Sequence, residues 1–219
     1  MSSKTKTGFF GPMKTLDSAS WGIEELPGGR ARAWIEHQVL AGVTPQMLRW
    51  WFEHIHTRST FNGSDFSGAE IPVYRLWHPY DHVAVRWRRR VVGSDGHLQP
   101  GSTVHIREIL DGRIEVDSTA LVTRFDLEAF NFDLLEGGVR VGTLDHLYAA
   151  VPGGSSFFTA LTVGVTWPWI GGVVTSLARR LRFGNDILET WIRHNVEESG
   201  ETEKFVPKLF EHAMAQQAP

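Results

Sequence analysis

Between residues 83 and 165 apolar and polar residues alternate with a period of two, in segment after segment. The segments are HVAVRWRRRVV, TVHIREIL, GRIEVDSTALVTRF, AFNFDLLEG, GVRVGTLDHLYAAV and GSSFFTALTVGV. Short Gly-Asp, Asp-Gly, Glu-Gly-Gly and Pro-Gly-Gly breaks separate them. Alternation puts successive side chains on opposite faces, and breaks this short join only antiparallel neighbours. The chain is therefore committed to an antiparallel meander with one buried face.

On either side of the meander the period becomes helical. Thr44 can cap a helix with Pro45 in its first turn, and MLRWWFEHI continues it. After Pro168 the residues Val174, Leu177, Leu181, Ile187, Leu188, Trp191 and Ile192 form the apolar stripe of a long helix. A bend is expected at Gly184 and a further helical segment over 203–214. Residues 31–40 read as a strand, with Ala33, Ile35, His37 and Val39 on one face. Residues 59–70 read as loop, and 1–30 as an irregular arm punctuated by Pro12, Pro27, Gly28 and Gly29. The expected fold is α+β: one domain over 31–219, a curved antiparallel sheet gripping a long C-terminal helix around a cavity, with 1–30 as an arm. With 42% hydrophobic residues, nine Trp and thirteen Phe, the chain has ample material for a core and a lined cavity.

The balance of charge narrows the partners. A net charge of −3 gives no reason to expect nucleic acid. From Leu147 to Ala178 no residue is charged, yet Pro152, Gly153, Gly154, Pro168, Gly171, Gly172 and several Ser and Thr interrupt the run. It reads as a strand at 155–165, a turn at Trp167-Pro168 and a helix start, and no membrane span is expected. MSSKTKTGFF has no apolar secretory core. The absence of cysteine fits a reducing compartment, so a cytoplasmic protein is expected.

With no cysteine, a transition-metal site has to use His and carboxylate. His194 and Glu198 stand four apart on a helix, a spacing at which two side chains can grip one ion. His78, Asp81 and His82 crowd into WHPYDH, just before a strand. Glu108 shares a strand face with Val104 and Ile106, where a carboxylate needs a partner. His146 lies on a strand with Leu144 and Tyr148, as a candidate acid, base or hydrogen-bond donor. His37, His54, His56, His97, His105 and His212 are expected to be solvated. Two imidazoles with carboxylates suit zinc in a catalytic role.

YRLWHPYDH at 74–82, Glu108, LDHLYAAVPGG at 144–154, and His194-x-x-x-Glu198 followed by EKFVPKLF resemble the diacetylphloroglucinol and phloretin hydrolases. The resemblance implies a START-like helix-grip fold and a Zn2+-dependent hydrolase that cuts the C–C bond between an acyl group and a phenolic ring. It implies His78, Glu108, His194 and Glu198 as zinc ligands, and Asp81 and His146 as substrate-contacting catalytic residues; His82 is expected to be a non-ligand, with an exchange of roles between His78 and His82 left open. The partner implied is a small aromatic, polyketide-like substrate, and a homodimer is left open. The stretch after Gly154 and the scarcity of tyrosine (Tyr74, Tyr80, Tyr148) depart from the family pattern. The alternatives are a non-catalytic START-like carrier of a hydrophobic ligand and a metal-dependent polyketide cyclase or decarboxylase.

Overall fold

A computed structural model describes residues 5–164 and 184–217. Two short ladder strands, β1 (Thr7–Gly8) and β2 (Gly11–Pro12), open it. They are followed by β3 (Ala19–Leu26), β4 (Arg30–His37), β5 (Leu40–Ala41) and α1 (Pro45–His54). The pair β6 (Arg58–Ser59) and β7 (Ile71–Pro72) brackets the polar loop, and α2 (Val73–Trp77) leads into the sheet. The meander is β8 (His82–Arg89), β9 (Thr103–Leu110), β10 (Ile114–Phe125), β11 (Ala129–Glu136), β12 (Val139–Val151) and β13 (Gly154–Val163). One long helix, α3 (Asn185–Gln217), closes the described chain.

Among the described residues the main sheet has nine strands in the order β3-β4-β13-β12-β11-β10-β9-β8, with β5 pairing beside β13, and every ladder is antiparallel. Turn chemistry sets the hairpins. Gly137 and Gly138, at φ 58° and 81°, form the two-residue link between β11 and β12. Both conformations are left-handed, which is what a tight hairpin with the native twist needs.

The sheet curves around α3 in the expected helix-grip arrangement. Ala31, Ala33 and Ile35 of β4 are fully buried against Leu188, Ile192 and Val196 of α3. The two alanines let the helix axis approach the strand closely. Further along, Phe205, Val206 and Leu209 meet Trp51 and Phe52 of α1 and Trp77 of α2. Phe130, Phe132 and Phe157 line the concave face of the sheet. Thr44 caps α1 as expected, accepting from Met47 N–H at 3.2 Å.

Two expectations change. Residues 1–30 are not an irregular arm throughout: Ala19–Leu26 pairs along its whole length with β4 and is an edge of the main sheet. Its WGIEEL pattern places no regular apolar face, because the strand is only partly buried. The expected separate segment at 203–214 is instead the continuation of α3, which runs through Pro207. A proline inside a helix removes one amide donor and crowds the preceding turn, so tertiary packing of Phe205, Val206 and Leu209 overrides a local breaker. The expected turn at Trp167-Pro168, the helix start after it and Val174, Leu177 and Leu181 lie outside the described residues. Among the described residues no helix is long and apolar enough to cross a membrane.

One close approach fixes the junction of β5 and β13. A Cβ placed on Gly154 would lie 2.0 Å from the Leu40 carbonyl oxygen. Gly154→Ala should therefore push β5 off β13 and destabilise the fold by about 1–3 kcal/mol, as overpacking does. Thermal melting checks this; an unchanged midpoint would contradict the packing described.

Candidate metal centre

The site is a cross-strand pair facing a helical pair. His82 at the start of β8 lies directly opposite Glu108 of β9. The register of β8 slips between His82 and Ala84, and such a bulge re-aims the side chain beside it. From the other side, His194 and Glu198 project from one face of α3. His82 Nε2 lies 3.1 Å from Glu198 Oε2 and 3.7 Å from Glu108 Oε1. His194 Nε2 lies 3.5 Å from Glu198 Oε2. Donor atoms of His82, Glu108 and His194 all fall within 4.8 Å of one another.

Each of these groups is held from behind. His82 Nδ1 donates to the Tyr74 carbonyl oxygen at 2.7 Å, which turns Nε2 toward the carboxylates. The Tyr74 ring also stacks on His82, with centroids 3.7 Å apart. Although buried, His82 Nε2 has no hydrogen-bond partner among the described residues. The Tyr74 hydroxyl donates to Glu108 Oε1. Burial, with Glu108's charge beside it, raises that hydroxyl well above its ordinary range, so it stays a donor. His194 Nδ1 donates to Asp81 Oδ2 at 2.9 Å. Asn195 Nδ2 donates to Glu198 Oε1 at 2.5 Å, leaving Oε2 to face the imidazoles.

Electrostatics follow the same pattern. Burial by itself would lower His194, yet Glu198's charge and the bond to Asp81 raise it well above the ordinary imidazole range. Burial would raise Glu198, yet the charge of His194 and its hydrogen bond hold it well below the ordinary carboxylate range. The pair is a buried charge couple that keeps both partners ionised.

Both histidines of WHPYDH face the cluster. His78 Nδ1 accepts from Asp81 N–H at 3.0 Å, and its Nε2 donates to Glu197 Oε2 at 3.0 Å. Among the described residues two groups bring donor atoms within 4.8 Å of one another: His78, Asp81 and His194, which keeps the expected His78, and His82, Glu108 and His194, which brings in His82, expected to be a non-ligand. A strand register could not be assigned to the turn from sequence, and Pro79 between the two histidines hid which one begins β8. The Asp81 carboxylate is buried behind His194 and orients that ring. His146 donates Nδ1–H to the Phe130 carbonyl at 2.9 Å and sits among the rings of Phe52, Phe132 and Phe157. Burial keeps it neutral by lowering its pKa.

Sequence reasoning missed three contributors. Lys6 reaches Glu197 at 2.9 Å and Asp81 at 3.9 Å, closing the outer side of the cluster. Tyr74 supports both His82 and Glu108. His37, expected to be solvated, has its ring 3.1 Å from Thr159 Oγ1, and Thr159 in turn donates to Asn195. The β4 alternation had placed His37 on the inward face with Ile35, and that was the signal. His97 is likewise engaged, by buried Glu53 at 3.1 Å.

Four donors at 2.0–2.1 Å from one zinc ion stand about 3.3 Å apart in a tetrahedron. The separations of 3.1, 3.5 and 3.7 Å straddle that spacing. The trio His82, Glu108 and His194, with Glu198 beside both imidazoles, can hold a divalent ion.

No family model matches the chain, and no curated protein matches it. Solved structures similar to it include Ara h 8.0201, at 11% identity over 80% of this chain and 98% of that one, with a TM-score of 0.38. Protein Ms6760 from Mycobacterium smegmatis aligns at 10% identity over 89% and 99%, with a TM-score of 0.47. A Rhodobacter sphaeroides protein aligns at 12% identity over 81% and 95%, with a TM-score of 0.41. At these values the likenesses add nothing to what strand order and the gripped helix already state.

The buried histidines set a pH dependence for the metal-free chain. Burial lowers His78 from 6.5 to about 4 and His37 from 6.5 to about 3. Unfolded, both would take up a proton near 6.5, so stability is full above that pH and falls as pH drops toward 4. His194 has the opposite sign: its raised pKa stabilises the fold below 6.5, adds no slope there, and its contribution is lost only as pH rises toward the raised value. Glu198, Asp81 and Glu197 are lowered, so they add loss only below about 4.5. Urea midpoints measured from pH 7.5 to 4 should fall through this window, and His78→Gln should flatten the fall. A flat profile in the parent protein would contradict the burial of His78 as a neutral ring.

Proposed function

We propose that the chain is a metal-dependent hydrolase that cleaves the bond between an acyl carbon and a phenolic ring carbon, with zinc held by His82, Glu108, His194 and Glu198. The observation that supports this reading most is the convergence of His82, Glu108 and His194, whose donor atoms fall within 4.8 Å of one another with Glu198 Oε2 3.1 Å from His82 Nε2. When bound, zinc would polarise the acyl carbonyl and bring the pKa of a water toward neutrality.

The protein's own residues do the rest. Asp81 holds His194, and Tyr74 holds both His82 and Glu108, so the donor set is kept in place before any substrate arrives. His146 carries its proton on Nδ1, toward Phe130, so its Nε2 is free to accept a phenolic O–H. The rings of Phe130, Phe132 and Phe157 around it suit a planar aromatic substrate. Overall, water adds across the bond: hydroxide goes to the acyl carbon, giving a carboxylic acid, and a proton goes to the ring carbon, giving the phenol. Ring hydroxyls flanking the acyl carbon allow that protonation by ketonising first, so they define the substrate class.

The fold by itself suits a non-catalytic carrier of a hydrophobic ligand equally well, and the buried quartet is what favours an enzyme. Purified protein should hold about one divalent metal per chain. His82→Ala and His194→Ala should lose it, whereas His78→Gln and the surface substitution His105→Ala should keep it. Metal analysis showing no zinc in the parent protein would favour the carrier.

Acylphenols with two flanking hydroxyls should yield the phenol and a free acid, and aryl ketones lacking those hydroxyls should not react. His146→Ala should lower turnover at least about tenfold while leaving zinc in place, as expected of a group acting on substrate. A zinc-loaded protein that releases no acid from a broad acylphenol panel would rule out the hydrolytic reading, and ring closure or CO2 release instead would indicate a cyclase or decarboxylase.

A further inference from the structure

The hydrogen bonds behind Glu198 have only one self-consistent direction. An ionised carboxylate only accepts, so the atom of Asn195 that faces Glu198 Oε1 at 2.5 Å must be the Nδ2 amide nitrogen. That sets the amide flip, and Asn195 Oδ1 then faces Thr159 Oγ1 at 2.6 Å and must accept. Thr159 has a single hydroxyl hydrogen and gives it to Asn195. His37 Nε2, 3.1 Å from the same hydroxyl oxygen, must therefore be the donor. The chain runs from β4 through β13 to α3, and it ends on the oxygen of Glu198 that does not face the imidazoles. Asn195 and Thr159 are buried, and burial keeps His37 neutral, with one ring proton to place.

We propose that His37, Thr159 and Asn195 are positioning residues that make Glu198 a one-oxygen ligand: they tie down Oε1 and present Oε2 to the metal. This rests on the metal-site reading above. Without the Asn195 donor, Oε1 is free to swing toward the cation, and the carboxylate loses the rotamer that places Oε2 3.1 Å from His82. The residues act through Glu198 and need touch neither metal nor substrate.

Zinc affinity, measured by competition with a chromogenic chelator, tests the chain. Asn195→Leu keeps volume and removes the donor, and Asn195→Asp replaces it with a second anion. Both should weaken zinc binding by about 10- to 100-fold, the usual cost of losing a group that orients a ligand. Thr159→Val should weaken it by several-fold, and Thr159→Ser, which restores the hydroxyl, should return it to near the parent value. Nitrogen-15 spectra of the zinc-loaded protein should show His37 protonated on Nε2, with that proton exchanging faster in Thr159→Val.

Affinity within twofold of the parent in a folded Asn195→Leu would overturn the proposal. If that variant does not fold, equal affinity in Thr159→Val and Thr159→Ser overturns it, as does a His37 protonated on Nδ1. Loss of the chain alone is distinguishable from loss of the whole reading: a parent protein that takes up no zinc removes both, whereas a zinc-loaded parent with indifferent variants removes only the chain.

Discussion

The rest of the structure depends on the burial of charged groups on α3. From His194 to Thr202 every residue of the helix is buried, although Glu197, Glu198 and Glu201 lie among them. A surface helix normally buries one stripe and leaves the other side to water. Here the sheet covers one side and the N-terminal segment covers another, so each acid needs a cation or donor nearby. Glu198 has His194 and Asn195, Glu197 has Lys6 and His78, and Glu201 has Lys204 at 2.5 Å. The buried acids therefore account for the N-terminal covering, the engagement of His78 and the orientation of Asp81.

The same constraint separates binding from support in the cluster. His78, Asp81, Glu197 and Lys6 form one set, in which Lys6 and the His78 ring answer the two carboxylates. His82, Glu108, His194 and Glu198 form the other. The two meet at His194, whose Nδ1 belongs to the first and whose Nε2 belongs to the second. Removal of one partner from a buried charge network leaves another uncompensated, which costs far more than an exposed pair would.

Much of this was legible in the sequence. Alternation gave the meander, and the i, i+4 pair on the helix gave half of the quartet. Glu108 was marked by sharing a face with Val104 and Ile106, and the structure places Val104 in the core with Ile106 packed beside it. What periodicity does not encode is which atom of a loop faces inward. How His78 and His82 face the cluster turns on a register slip at the first residues of β8, and no local pattern reports a slip. Lys6 was illegible for a related reason, since it meets Glu197 across 191 residues of sequence. His37 was legible and passed over: strand alternation placed it inward, whereas its residue type argued for solvent.

That long separation has a consequence for how the molecule comes into being. Lys6 and Lys14 are made well before their partners Glu197 and Glu203, which lie some 190 residues later. Contacts this remote in sequence close slowly and add heavily to contact order. A chain still emerging from synthesis can pair β8 with β9, and so bring His82 to Glu108, long before α3 exists. Until then the buried acids have no helix to sit on and the first residues have nothing to cover. The segment that carries Lys6 and Lys14 is thus made long before the helix it covers, and its docking waits for that helix.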